Sequence, residues 1–228
     1  MKNLLLLVVF LGVSFAAHAD TRAAFVVGNS AYENAPALSN PARDARLVAD
    51  TLRQLGFTVT RHEDLTRDGF AVALEDFLRT NRDADVTFFY FAGHGMQFDG
   101  KNYLVGTDAE LRSELDIDSE TIELDKVVDL LERNSNAALV FVDACRDNPL
   151  ATDFYRRNFS ETRALETRGL ARVRSAIDGS MLVFAAAPGQ VAYDGDELNS
   201  PFAAALARHL PTEGTEILSL TKRIIGDV

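Results

Sequence analysis

The sequence predicts an α/β fold in which a mostly parallel central sheet carries helices on both faces. Strand-like and helix-like segments alternate along the 228 residues. The strand-like segments are continuous apolar runs, the mark of strands buried on both sides. Helical patterns separate them, and parallel strands need such crossovers.

Residues 22–27 read as the first strand (Ala23-Ala24-Phe25-Val26-Val27), closed by Gly28-Asn29. Residues 41–55 read as a helix, because Ala45, Val48, Ala49, Leu52 and Leu55 recur at steps of three and four. Asn40 stands where an N-cap belongs, Pro41 takes the first helical position and Gly56 ends the helix. A short strand at 57–61 and a helix at 68–79 follow. Val86-Thr87-Phe88-Phe89-Tyr90-Phe91 is the next strand. A polar stretch rich in Asp and Glu spans 107–123, a helix spans 124–131, and Ala138-Leu139-Val140-Phe141-Val142 is another strand. Residues 150–179 hold many arginines and little apolar periodicity, so they read as a long, mobile surface segment with at most a short helix. Residues 180–187 return to a buried strand (Met181-Leu182-Val183-Phe184), and 202–210 and 217–225 read as helices. Val228 falls inside this last amphipathic pattern, which leaves a longer parent protein open. With no internal repeat or low-complexity tract, 20–228 reads as one domain.

A net charge of −11 argues against nucleic acid as a partner. Lys2, the apolar run from Leu4 to Ala17 and Ala17-His18-Ala19 fit a secretory leader covering 1–19 and cut before Asp20. The run is shorter than the ~20 residues a spanning helix needs. An exported protein, periplasmic or secreted, with no stable membrane span after leader removal is the expectation. Cys145 is the one cysteine, so no internal disulfide forms, and an odd cysteine in an exported chain is reactive or pairs between chains.

Two strands end in chemistry. The run at 86–91 leads into Ala92-Gly93-His94-Gly95, and the run at 138–142 leads into Asp143-Ala144-Cys145-Arg146-Asp147. Active residues of open parallel sheets gather beyond the strands' carboxyl ends. A nearby imidazole lowers a thiol's pKa or takes its proton, which makes Cys145 a candidate nucleophile and His94 its candidate base. The flanking glycines let the backbone turn sharply, and the Gly95 and Cys145 amides are candidate oxyanion donors. The competing reading is a packed core cysteine and a loop histidine with a structural partner.

Tyr90-Phe91-Ala92-Gly93-His94-Gly95 and Asp143-Ala144-Cys145-Arg146-Asp147-Asn148-Pro149 resemble the two active-site motifs of caspase-like cysteine peptidases, closest to bacterial metacaspase-like (orthocaspase) members. The histidine and cysteine stand about 50 residues apart, the caspase spacing. Gly28-Asn29-Ser30-Ala31-Tyr32 and Asn199-Ser200-Pro201-Phe202 extend the resemblance from about Arg22 to the end of the chain. It implies a caspase-like three-layer sandwich and an endopeptidase: Cys145 attacks the scissile carbonyl, His94 serves as general base or acid, mainly protonating the leaving amine, and no cofactor is required. A catalytically silent caspase-like interaction module is the alternative, and another acyl-transfer hydrolase on the same dyad is a third reading.

The resemblance also speaks to specificity. Caspases carry an early pocket arginine where this sequence has Leu38. Metacaspases place two aspartates in the pocket, and Asp44 and Asp143 match them. Two carboxylates favour a guanidinium or ammonium, so cleavage after Arg or Lys is expected. Taken plainly, Asp44 is a first-turn helix acid and Asp143 a turn former. Arg156, Arg157, Arg163, Arg168, Arg172 and Arg174 make 150–179 a candidate for self-cleavage. Asp108, Glu110, Glu114, Asp116, Asp118 and Glu120 offer oxygen ligands of the kind calcium takes, and some metacaspases require calcium. EF-hand spacing is absent, so the run reads first as a solvated face. His62 and His209 have no cysteine near them for zinc, and no dinucleotide fingerprint or P-loop is present.

Overall fold

The computed structural model describes residues 20–145, 149–159, 180–185, 198–212, 214 and 216–228. In chain order these form β1 (Arg22–Gly28), α1 (Pro41–Gln54), β2 (Thr58–Glu63), α2 (Arg67–Thr80), β3 (Ala84–Phe98), β4 (Lys101–Val105), α3 (Asp116–Glu120), β5 (Thr121–Glu123), α4 (Leu124–Asn134), β6 (Ser135–Cys145), α5 (Pro149–Asn158), β7 (Ser180–Phe184), α6 (Pro201–His209) and α7 (Ile217–Gly226). The expected leader at 1–19 and most of the arginine-rich segment lie outside the described residues.

Five strands run parallel in the order β2-β1-β3-β6-β7. Period-two alternation sends Ala23, Phe25 and Val27 of β1 to one face, with Phe89 and Phe91 of β3, under α2 and α4. Ala24 and Val26 go to the other face, with Phe88, Tyr90 and Phe141, under α1, α6 and α7. Helix, sheet and helix therefore stack in three layers, the predicted α/β sandwich. The stripe Ala45, Val48, Ala49 and Leu52 is fully buried, and each Val or Leu so buried stabilises by roughly 1.5–3 kcal/mol. Gly28 lets α1 come this close: a Cβ there would lie 2.3 Å from the Pro41 carbonyl oxygen.

Several local expectations need correction. Asn40 sits at the α1 N-cap position without capping; its Oδ1 accepts a hydrogen bond from Arg43 instead. β3 does not end before His94 but runs on to Phe98, because Gly95–Phe98 pair antiparallel with β4, which pairs antiparallel with β5. The connection from β3 to β6 thus holds β4, α3, β5 and α4 rather than one helix. Residues 150–158 belong to α5, whose Leu150, Ala151, Phe154 and Tyr155 are buried, so this part of the expected surface segment is packed.

Candidate active site

β3 and β6 are direct neighbours, and their parallel register sets Ala92 opposite Asp143, Gly93 opposite Ala144 and His94 opposite Cys145. Neighbouring strands lie about 4.8 Å apart, so positions 94 and 145 stand side by side at the carboxyl rim of the sheet. Phe88, Tyr90 and Ala92 line the α1 face, as does Phe141. Counting onward in steps of two puts positions 94, 143 and 145 on that same face.

His94 is 1% exposed. Its ring lies 4.4 Å from that of Tyr32, tilted by 49°. The Tyr32 hydroxyl accepts the His94 backbone N–H at 2.7 Å and donates to the Val105 carbonyl at 3.4 Å. Burial lowers the imidazole pKa to about 4, with the nearby Pro36 carbonyl acting in the opposite direction. That carbonyl falls short of a hydrogen bond, since neither ring nitrogen has such a partner among the described residues. The ring is therefore neutral at neutral pH, held by packing, with both nitrogens available. Gly93 gives the approach its room: its φ is +155°, and a Cβ there would sit 2.6 Å from the Tyr32 hydroxyl. Gly95 continues β3 opposite Leu104 of β4.

The acidic pair is built differently. Asp44 is 1% and Asp143 is 9% exposed. Asp44 Oδ1 accepts from Asn199 Nδ2 at 2.8 Å and from the Ser200 backbone N–H at 3.0 Å. Asp143 Oδ2 accepts from the Ser200 hydroxyl at 2.5 Å and from the Tyr90 hydroxyl at 3.1 Å. Burial, then the charges of Asp143 and Asp44, hold the Tyr90 phenol well above its usual range, so it stays a donor. The two aspartates, 99 residues apart in the chain, thus meet around Ser200 on the face that carries position 145. Asp44 is a first-turn acid of α1, as the plain reading has it, but a buried one bonded across to Asn199 and Ser200, and Asp143 lies within β6 rather than in a turn.

Tyr32, Tyr90, Asn199 and Ser200 stand inside the sequence motifs, but the motifs alone assign them no role. A tyrosine inside a buried phenylalanine run is itself a signal, because its hydroxyl needs a partner. Asn29 is a further positioning residue: its backbone N–H donates to the Ala92 carbonyl, and its side chain donates to the Leu65 and Val105 carbonyls and accepts from the Leu65 N–H. It ties the end of β1 to β3 two residues before His94, to the loop after β2 and to the end of β4. Leu38 packs at the edge of a third apolar cluster around Tyr32 and Phe154.

Half of the acidic run is spent on backbone. Glu120 accepts the N–H groups of Glu110 and Leu111, Asp116 that of Ser113, and Asp108 that of Arg67. Among the described residues no three His, Cys, Asp or Glu side chains are gathered to hold a metal ion. His62 lies tilted against Phe25, and His209 pairs with Asp227. A cleft of about 560 Å³ lies between α2 and α4, across the sheet, but its walls carry no histidine or cysteine. No helix among the described residues is long and apolar enough to cross a membrane.

The family model described as "Caspase domain" matches residues 21–228. A stretch of 131 residues, 56% of this chain, is 30% identical to the mucosa-associated lymphoid tissue lymphoma translocation protein 1 homolog of Mus musculus. The Homo sapiens mucosa-associated lymphoid tissue lymphoma translocation protein 1 matches to the same extent. The match spans only 15% of the length of either relative. With the family model covering the whole described domain, and with the three-layer fold beneath it, the chain belongs to the caspase domain family of cysteine peptidases.

Proposed function

We propose that this protein is a cysteine endopeptidase that cleaves after Arg or Lys through a His94/Cys145 dyad. The observation that supports it is the register opposition of His94 and Cys145 on the same sheet face as the buried Asp44/Asp143 pair. In this mechanism neutral His94 takes the Cys145 thiol proton as sulfur attacks the scissile carbonyl carbon. Charge collects on the carbonyl oxygen, where the Gly95 and Cys145 amides serve as donors; one such donor is worth about 3–4 kcal/mol. The tetrahedral adduct collapses, His94 delivers the proton to the leaving amine, and a thioester remains. Water, deprotonated by His94, then releases the acid and restores the thiol. The reaction balances with protein groups and water alone, so a cofactor is not called for. Calcium dependence enters only as a regulatory proposal, and full activity in a chelator would remove it.

A substrate guanidinium bound by both carboxylates orients the peptide with its carbonyl toward position 145. The deciding experiment uses arginyl, lysyl and aspartyl fluorogenic peptides with parent protein and Cys145→Ala. Cleavage after Arg and Lys, abolished in the variant, supports the reading. Cleavage only after Asp overturns the pocket, and equal turnover by Cys145→Ala overturns the dyad. A folded parent that cleaves nothing leaves the silent interaction module.

The same proposal includes export and self-processing. Removal of 1–19 would give a mature protein beginning at Asp20, read by N-terminal sequencing, in a periplasm or outside the cell. Cleavage of its own chain would fall at Arg163, Arg168, Arg172 or Arg174, which lie outside the described residues. Identical intact chains from parent and Cys145→Ala would dismiss it.

A further inference from the structure

We propose that Ser200 is a positioning residue that sets the spacing of the two pocket carboxylates and thereby the preference for arginine over lysine at the cleavage site. The inference rests on the basic-pocket reading above and goes beyond it. Ser200 is 5% exposed and uses every polar group it has on the α1 side of the sheet. Its N–H donates to Asp44 Oδ1 at 3.0 Å, and its hydroxyl donates to Asp143 Oδ2 at 2.5 Å while accepting the Ala203 N–H at 3.0 Å as the N-cap of α6. One small residue therefore holds an acid on α1, an acid at the end of β6 and the start of α6 in a fixed triangle.

The local backbone prepares it for this. Pro201 disfavours the helical region for the residue before it, and Ser200 is extended at φ −63°, ψ 149°. That conformation directs the N–H and the hydroxyl to different acids. Two carboxylates drawn together repel, and donors placed on both offset that repulsion. Asn199 adds a third donor, to Asp44.

Spacing matters more for one ligand than for the other. A guanidinium is a planar fork whose paired N–H groups demand fixed acceptor positions, whereas an ammonium is a compact charge with rotatable donors. Losing the Ser200 hydroxyl should therefore weaken arginyl substrates more than lysyl ones.

The test separates the cap from the bridge. Glycine serves nearly as well as serine at an N-cap, so Ser200→Gly largely keeps α6 while it removes the hydroxyl bridge to Asp143 together with the cap bond from Ala203. Ser200→Thr restores a hydroxyl. We expect Ser200→Gly to raise KM for an arginyl peptide about tenfold and for a lysyl peptide about threefold or less, with kcat little changed, as for lost uniform binding. Ser200→Thr should recover the parent Arg/Lys ratio. Calorimetric binding of the same peptides to Cys145→Ala protein, with and without Ser200→Gly, reads the pocket without turnover. If Cys145→Ala binds neither peptide, the basic pocket itself is wrong. If it binds both, but Ser200→Gly leaves the Arg/Lys ratio unchanged or lowers kcat equally for both, the inference about Ser200 is wrong and the pocket stands.

Discussion

His94 and the Asp44/Asp143 pair share one face of one sheet, yet they are buried on opposite terms. The imidazole has no hydrogen-bond partner on either nitrogen among the described residues, while the two carboxylates accept at least four side-chain and backbone donors between them. A buried imidazole can shed its charge, so bare burial leaves a neutral base ready for a proton. A buried pair of carboxylates needs donors to be tolerated at all. The contrast divides the labour: the unpartnered group is equipped for proton transfer, and the partnered pair for recognising a cation. Changes at His94 should act on kcat, and changes at the acids on KM.

The largest expected break is His94→Gln, which keeps size and polarity but cannot shuttle a proton. A general acid–base contributes 10²–10⁴-fold, so kcat should fall by about 10³ with KM nearly unchanged. Residual kcat within tenfold of the parent would sink the division. Next is Asp143→Asn, which leaves acceptors for Ser200 and Tyr90 but removes the charge. Loss of a desolvated charge partner costs about 2–5 kcal/mol, so kcat/KM for an arginyl peptide should fall about 10²-fold, through KM. A fall carried by kcat alone would place Asp143 with the chemistry instead.

The bare burial of His94 also has a pH signature. Its folded pKa of about 4 lies below the ordinary imidazole value of 6.5, so the unfolded chain binds the extra proton between those limits. The stabilisation is complete above pH 6.5 and is lost as pH falls toward 4, by up to about 3 kcal/mol. His62, also lowered by burial, adds in the same direction. Denaturant melts across this window should show a shallower slope in His94→Gln than in the parent; an unchanged slope would mean that His94 is already solvated.

These positions were unequally legible in the sequence. The parallel core was plain because its strands are long apolar runs, and the two motifs sit where those runs stop. β4 and β5 were not, since five and three residues carry little periodicity and their pairing depends on β3 running past its apolar part. α5 was hidden because Asp153, Arg156 and Arg157 surround its buried stripe of Leu150, Ala151, Phe154 and Tyr155. The hold of Tyr32 on His94 and of Ser200 on Asp143 is tertiary: each reaches more than 50 positions along the chain, and no local pattern encodes that.

The smallest expected effect tests how His94 is held. Tyr32→Phe keeps the ring packed 4.4 Å from the imidazole and removes only the hydroxyl that accepts the His94 N–H. A buried donor left without its acceptor costs about 1–3 kcal/mol, and β3 can relax locally to find another. Such relaxation shifts the His94 ring by a fraction of an ångström relative to position 145, and proton transfer is sensitive to that distance. We expect kcat to fall about tenfold, with KM and the Arg/Lys ratio unchanged, because the acids hang from Ser200 and Tyr90 rather than from Tyr32. Gly93→Ala should reproduce the kcat loss by pressing on the same hydroxyl from the other side. If Tyr32→Phe lowers only the melting temperature, packing alone positions the imidazole. If it changes the Arg/Lys ratio, the two halves of the site are coupled, and the division between proton transfer and recognition fails.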